Sequence, residues 1–247
     1  MFSFCKRKKQ EITFWSTIPG IEKTTPVLQS NKFIPDWYKK LKAFPDEQGL
    51  NFKGTVKVCP SFKDYFNSGY IITLWCDLIL NINPDKWEWK TPNSSFTFSH
   101  FPNNQYSDYL PEHEKDKIKL VLKANCPWRC KTSKGYKLLQ LPLYYDFNEI
   151  FEVMPGFIST DVYHELNQQI IIKKYGEFFI SRGTPLCMYI PIKEEEFNFI
   201  CTNNEDHLIK NYVSRTGLEG DGNRDMIRSL FTGSYNEIKK KGKCPFK

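Results

Sequence analysis

Apolar and polar side chains alternate through the middle of the chain, from about residue 55 to residue 195. Lys86 to Lys90 and Ser95 to Phe101 put Trp87, Trp89, Phe96 and Phe98 on every second position. That is the period of an antiparallel strand with one wet face. Lys117 to Lys123 repeats the pattern through Ile118, Leu120 and Leu122, and Tyr70 to Ile82 is a long apolar run. Tyr136 to Tyr144, Phe151 to Val162, Gln168 to Tyr175 and Glu177 to Ile192 continue the series, and Glu11 to Ser16 reads as a short leading strand. Asn93-Ser94 has the chemistry of a turn.

Helical signals flank this block. Pro35 suits a helix start, with Trp37, Tyr38 and Leu41 on one face, and Cys59 to Gly69 carries Pro near its beginning and Gly at its end. Asn203 to Arg215 and Asn223 to Lys240 read as helices joined by a Gly-rich connector, Gly217 to Gly222. The pattern predicts a mainly β protein with a sandwich or jelly-roll core and peripheral N- and C-terminal helices. Residues 1–54 supply a strand and helix packed on that core, 55–195 the core and 196–247 a helical segment, all within one compact domain. Pro102 to Asp116 is polar and reads as a loop.

Composition strengthens the β reading, because aromatic residues reach 16% and favour strands. The net charge of +7 is moderate. The basic runs Lys6 to Lys9 and Lys239 to Lys243 are short, terminal and free of interleaved aromatics. They read as solvated surface rather than a nucleic-acid grip. Eight cysteines are scattered, several inside apolar runs. With no apolar stretch behind the basic start and no run of membrane-spanning length, free thiols in a reducing cytoplasm are expected, with no membrane association.

Candidate chemistry concentrates between Met154 and Gln169. Ser159, Asp161, His164, Glu165, Asn167 and Gln169 crowd a bend between two apolar strands. His100, in a polar stretch with Asn103 and Asp108, and Arg129, an anion contact, complete the candidate ligand-binding set. Asp161 and His164 with a distant second histidine, such as His100 or His113, would satisfy the two-His, one-carboxylate demand of non-haem iron. The competing reading is a hairpin end whose polar side chains satisfy backbone groups. Cys126-Pro-Trp-Arg-Cys130 resembles half of a zinc site but lacks a second pair, and reads instead as a strand-to-loop corner anchored by Trp128. Gly220-Asp-Gly222 lacks the Lys-Ser/Thr of a phosphate loop.

Two resemblances follow from particular motifs. Phe33-Ile-Pro-Asp-Trp-Tyr-Lys-Lys-Leu41, Val58-Cys-Pro-Ser-Phe62, Gly69-Tyr-Ile-Ile72, Cys126-Pro-Trp-Arg129, Lys134-Gly-Tyr-Lys137 and the stretch from Gly156 to Gln169 resemble an uncharacterised family of marine tailed phages, including cyanophages, and some bacteria. This implies a viral accessory or virion protein and no particular chemistry. Residues 134–192 are also similar to the trimeric dUTPase and dCTP deaminase superfamily, through Gly156, Ile158, Asp161, Glu165 and Gly183. The departures fall on the chemistry. Ser159 stands where that superfamily has Asp, Val162 where it has Tyr, His164 where it has Gly, and Met188 where it has Gln. Without the carboxylate that activates water, the likeness implies shared architecture rather than that reaction.

Together these readings predict an accessory or virion-associated protein acting as a non-catalytic binding or assembly module. It would work in the host cytoplasm or the particle, with a second copy, another phage protein, a small molecule or a nucleotide as partner. Trp87 and Trp89, read as exposed aromatics, are candidates for a self-association contact. The alternative is an enzyme, either a divergent dUTPase-like nucleotide enzyme or a jelly-roll metal-dependent oxygenase. The sequence specifies no cofactor.

Overall fold

The computed structural model of the protein describes residues 10–44 and 54–199. The chain divides into two compact units, one of residues 1–35 with 67–195 and one of 36–66 with 196–247. The leading strand is an integral part of a sheet in the first unit. The two helices expected between 203 and 240 lie outside the described residues, as do Gly220-Asp-Gly222 and both basic runs.

All thirteen described strands lie in the first unit. They are β1 (Ile12–Ser16), β2 (Leu28–Gln29), β3 (Tyr70–Thr73), β4 (Leu78–Ile82), β5 (Trp87–Lys90), β6 (Phe98–His100) and β7 (Leu120–Thr132). Then follow β8 (Tyr136–Leu141), β9 (Phe151–Val153), β10 (Gly156–Ile158), β11 (Glu165–Ile172), β12 (Gly176–Ile180) and β13 (Pro185–Lys193). One sheet runs β1-β7-β11-β9, with β6 also paired to β7; a second runs β10-β8-β13-β3-β2; a third runs β12-β4-β5. Every pairing is antiparallel. The inward faces meet in one apolar core that takes Leu122, Ala124 and Cys126 from β7, Ile170 and Ile172 from β11, Leu80 and Ile82 from β4, Leu138 from β8 and Tyr189 from β13. The protein is therefore mainly β with a sandwich-type core, as the alternation predicts.

Three runs read as continuous are broken in space. Tyr70 to Ile82 splits into β3 and β4, which join different sheets. Leu74, Trp75 and Cys76 stay buried through the break, so hydrophobicity does not mark it. Phe151 to Val162 splits into β9 and β10, and Glu177 to Ile192 splits into β12 and β13 around a turn with Gly183 at φ 88°. Cys126 to Cys130 is not a corner. It lies inside the 13-residue β7, with both cysteines on the inward face. Pro102 to Asp116 contains short helical turns at Asn103–Gln105, Ser107–Tyr109 and Glu112–Lys115.

Pro127 explains how β7 serves several partners. Opposite the segment from Asn125 to Arg129, β11 supplies only Asn167, Leu166 and Glu165, and the register shifts there. Proline has no N–H to give a ladder, so it is tolerated at such an irregularity. On the other edge, β6 pairs with residues 122–124 and β1 with 128–132, one before and one after the proline. The Pro127 carbonyl, still available, accepts the Thr17 backbone N–H at 2.8 Å.

Gly69 closes its helix differently from the sequence expectation. Its φ is not positive, and it serves close approach: a Cβ there would sit 2.8 Å from both Met188 Cγ and the Tyr189 carbonyl oxygen. In the second unit, helix Asp36–Lys40 buries Tyr38, whose ring lies 4.7 Å from that of Phe66, while the Lys57 ammonium sits 4.7 Å over it. Trp37 does not share that face and is 38% exposed, because adjacent residues on a helix point about 100° apart.

Candidate functional site

The segment from Gly156 to Gln169 is not a hairpin. β10 pairs with β8 in the second sheet and β11 with β7 in the first, so residues 159–164 form a turn that carries the chain between sheets. The Ser159 carbonyl accepts the N–H groups of Val162 and Tyr163 at 3.2 and 2.8 Å. Two further bonds continue the ladder onto β7: Thr132 N–H to the Thr160 carbonyl and Cys130 N–H to the His164 carbonyl, at 3.3 and 2.9 Å. Thr160 itself is fully buried, with its hydroxyl 2.9 Å from that of Thr132. The turn is thus bolted to β7 at both ends, which fixes the side chains it carries.

Those side chains are engaged with one another and with the fold. Asp161 Oδ2 accepts the Gly135 backbone N–H at 3.1 Å and holds the β7–β8 turn, where Gly135 has φ 77°. His164 Nδ1 lies 3.2 Å from the Thr160 carbonyl, and its ring meets the edge of Trp15 at 5.5 Å. Arg129 Nη1 donates to the Cys126 carbonyl at 3.0 Å while Nη2 pairs with Glu165 Oε1 at 3.1 Å. Glu165 Oε2 accepts the Tyr163 hydroxyl at 3.0 Å, and Asn167 Nδ2 reaches that hydroxyl at 3.5 Å. The result is a continuous polar chain, Arg129–Glu165–Tyr163–Asn167, on the outer face of the first sheet.

Trp15 and Tyr163 complete this surface. The register places Trp15, Arg129 and Glu165 side by side on β1, β7 and β11. Trp15 is 38% exposed, Tyr163 46% and the neighbouring Val162 78%. Neither aromatic was among the residues picked from sequence. A signal for Trp15 existed: Ile12 and Phe14 occupy the inward phase of β1, which leaves Trp15 on the outward phase with Thr13.

Among the sequence candidates, the structure brings Arg129, Asp161, His164, Glu165 and Asn167 to this turn and the adjoining face. Ser159 is exposed at the start of the turn. Gln169 stands further along β11, opposite Lys123. His100 is elsewhere. It pairs with Leu122, eight residues from the Cys130 that bonds His164, or ~26 Å of extended chain. His100, Asp161 and His164 are therefore not assembled as a ligand set, and no group of three or more His, Cys, Asp or Glu among the described residues is placed to hold a metal ion. Trp87 and Trp89 are half-buried rather than exposed. Trp89 packs on Phe96 and Phe98 at 6.0 and 5.9 Å, and Trp87 lies 6.4 Å from the His100 ring.

A second polar cluster sits in the core. Tyr189 donates its hydroxyl proton to Gln140 Oε1 at 2.7 Å, and Gln140 Nε2 donates to the Met154 carbonyl at 2.8 Å. Gln168 Nε2 reaches the Tyr189 hydroxyl at 3.4 Å and Cys187 Sγ at 3.3 Å. Burial pushes the Cys187 and Cys126 thiols up to about 12 and raises the Tyr189 hydroxyl well above its ordinary range. These groups stay neutral and specify packing. No helix among the described residues is long and apolar enough to cross a membrane. Compared with protein-family models and with curated proteins, the chain matches none.

Proposed function

We propose that the protein is a non-catalytic binding or assembly module that engages a protein partner through the outer face around Trp15, Arg129, Tyr163 and Glu165. The accessory or virion-associated role follows the chain's resemblance to the marine tailed-phage family. One observation carries the reading: the ionisable groups of the turn are tied into a hydrogen-bonded chain bordered by two exposed aromatics. Asp161 holds the Gly135 amide, and Glu165 is shared between Arg129 and Tyr163. Such groups are held as a fixed surface. Trp, Tyr and Arg are also the residue types that dominate binding energy at protein interfaces. Because the chain of hydrogen bonds already orders Arg129 and Tyr163, docking freezes few additional rotamers.

The test is association of the purified protein with itself and with phage particles, measured by sedimentation, for the wild type and for Trp15→Ala with Tyr163→Ala. Both side chains are partly exposed, so the double variant should keep its fold. Removing two anchors of this kind is expected to weaken association at least tenfold. Association unchanged in the variant would overturn the assigned surface. Turnover of dUTP, or of 2-oxoglutarate with iron, abolished by Glu165→Gln would replace the binding reading with an enzymatic one.

A further inference from the structure

A cleft of about 350 Å³ opens between the β8–β9 loop, β9 and the start of β13. Its volume falls within the roughly 300–1,000 Å³ of small-molecule sites. Pro142, Leu143, Phe151, Pro155, Pro185 and Leu186 supply apolar walls, and Tyr144 and Phe147 stand at the rim, 57% and 66% exposed. The prolines hold their backbone φ fixed, so the walls are stiff.

The charged groups of this cleft differ in their engagement. The Lys173 ammonium bonds the Asn148 carbonyl and lies 3.5 Å from Glu152 Oε2, so cation and carboxylate offset each other. Asn148 Oδ1 accepts the N–H groups of Ile150 and Phe151 at 2.9 and 3.0 Å, which pins the loop onto β9. Asp146, by contrast, forms no ion pair among the described residues, where Lys173 is held by Glu152 and Lys174 by Glu149. As a residue it is exposed, yet the cleft walls strip part of the hydration from its carboxyl and raise its pKa. Phe147 beside it holds φ at 53°, a conformation unfavourable for a bulky side chain. Strain of that kind persists where the surrounding structure imposes it and collects at binding sites.

We infer that this cleft binds a small organic cation, an apolar or aromatic body bearing one ammonium group. The body would lie against the proline and leucine walls, and the ammonium would pair with the Asp146 carboxylate beneath the Tyr144 and Phe147 rims. An anion meets the unpaired carboxylate and finds Lys173 already engaged. A neutral ligand leaves the Asp146 charge partly dehydrated and unpaired. A cation satisfies it and adds attraction to the aromatic faces. This site is separate from the Trp15–Tyr163 surface and stands without the partner-binding reading.

Benzylamine, benzyl alcohol and benzoate share one aromatic body with positive, neutral and negative heads. Each is titrated into the full-length protein and followed by amide chemical shifts. The expected result is binding of benzylamine at least tenfold tighter than benzyl alcohol, no binding of benzoate, and shifts confined to residues 142–155, 173 and 185–186. Asp146→Asn, a surface change close in shape, is expected to remove the preference for the amine without altering thermal stability. The other titratable groups lining the cleft are Lys173, Glu152 and Tyr144. Burial raises the Asp146 pKa, so amine binding should fade as the pH drops through that raised value. Equal affinity for amine and alcohol, preference for benzoate, shifts centred elsewhere, an unchanged preference in Asp146→Asn, or no binding at all would each overturn the inference.

Discussion

Tyr189 shows what a single buried polar atom demands. Its ring is fully buried, and its hydroxyl is the junction between Gln168 and Gln140. Removing that hydroxyl leaves Gln140 Oε1 without a donor in a dry core. Tyr189→Phe should therefore cost about 1–3 kcal/mol in urea unfolding, although the substitution keeps the ring. A loss below about 0.5 kcal/mol would falsify this account of the cluster. Part of it was legible beforehand. Gln168 shares the inward phase of β11 with Leu166 and Ile170, so its burial could be read from alternation. Its partners could not, because Gln140 and Tyr189 come from β8 and β13 of another sheet.

At the scale of elements, β7 organises the first sheet, and Asn125 is its fastening for an irregular neighbour. The Asn125 backbone N–H donates to the Thr97 carbonyl at 3.1 Å. Its side chain accepts the Thr97 N–H at 2.9 Å and donates to the Ser95 carbonyl at 2.8 Å. The approach to β6 is too irregular to pair by ladder alone, and an outward-facing amide replaces the missing rungs. Asn125→Ala removes two of these three bonds. We expect at least tenfold faster exchange of the Thr97 amide and a loss of about 1–2 kcal/mol. Unaltered Thr97 exchange would show that the backbone ladder suffices. Alternation made the strands visible, β5 among them, but it did not tell that Trp87 and Trp89 pack inward. It did not show where a strand changes partner, because the Pro127 irregularity depends on what lies opposite.

Across the whole molecule, the core couples stability to alkaline pH. Cys126, Cys130 and Cys187 are buried free thiols, and burial pushes each from an ordinary value of 9.0 up to about 12. The folded state therefore keeps three protons that the unfolded chain releases first. This contribution is fully present below about pH 9 and is lost as the pH rises toward about pH 12. Denaturation from pH 8 to pH 10.5 should show falling stability, with a shallower slope in Cys187→Ala. An identical slope in that variant would mean that the thiol titrates alike in both states. The same three thiols should resist alkylation until the chain unfolds.

By itself the sequence determined the mainly β class, the apolar–polar alternation of segments such as 95–101 and 117–123, and the crowding of polar groups between Met154 and Gln169. These are local properties, set by side-chain periodicity along consecutive residues. Tertiary structure alone decided that residues 159–164 cross between sheets, that Glu165 is shared between Arg129 and Tyr163, that Trp15 joins His164, and that His100 stands apart. It also decided that Asp146 would face an apolar cleft. Each of these depends on strand order and register between residues distant in sequence, and periodicity within one strand carries no information about which strand will lie beside it.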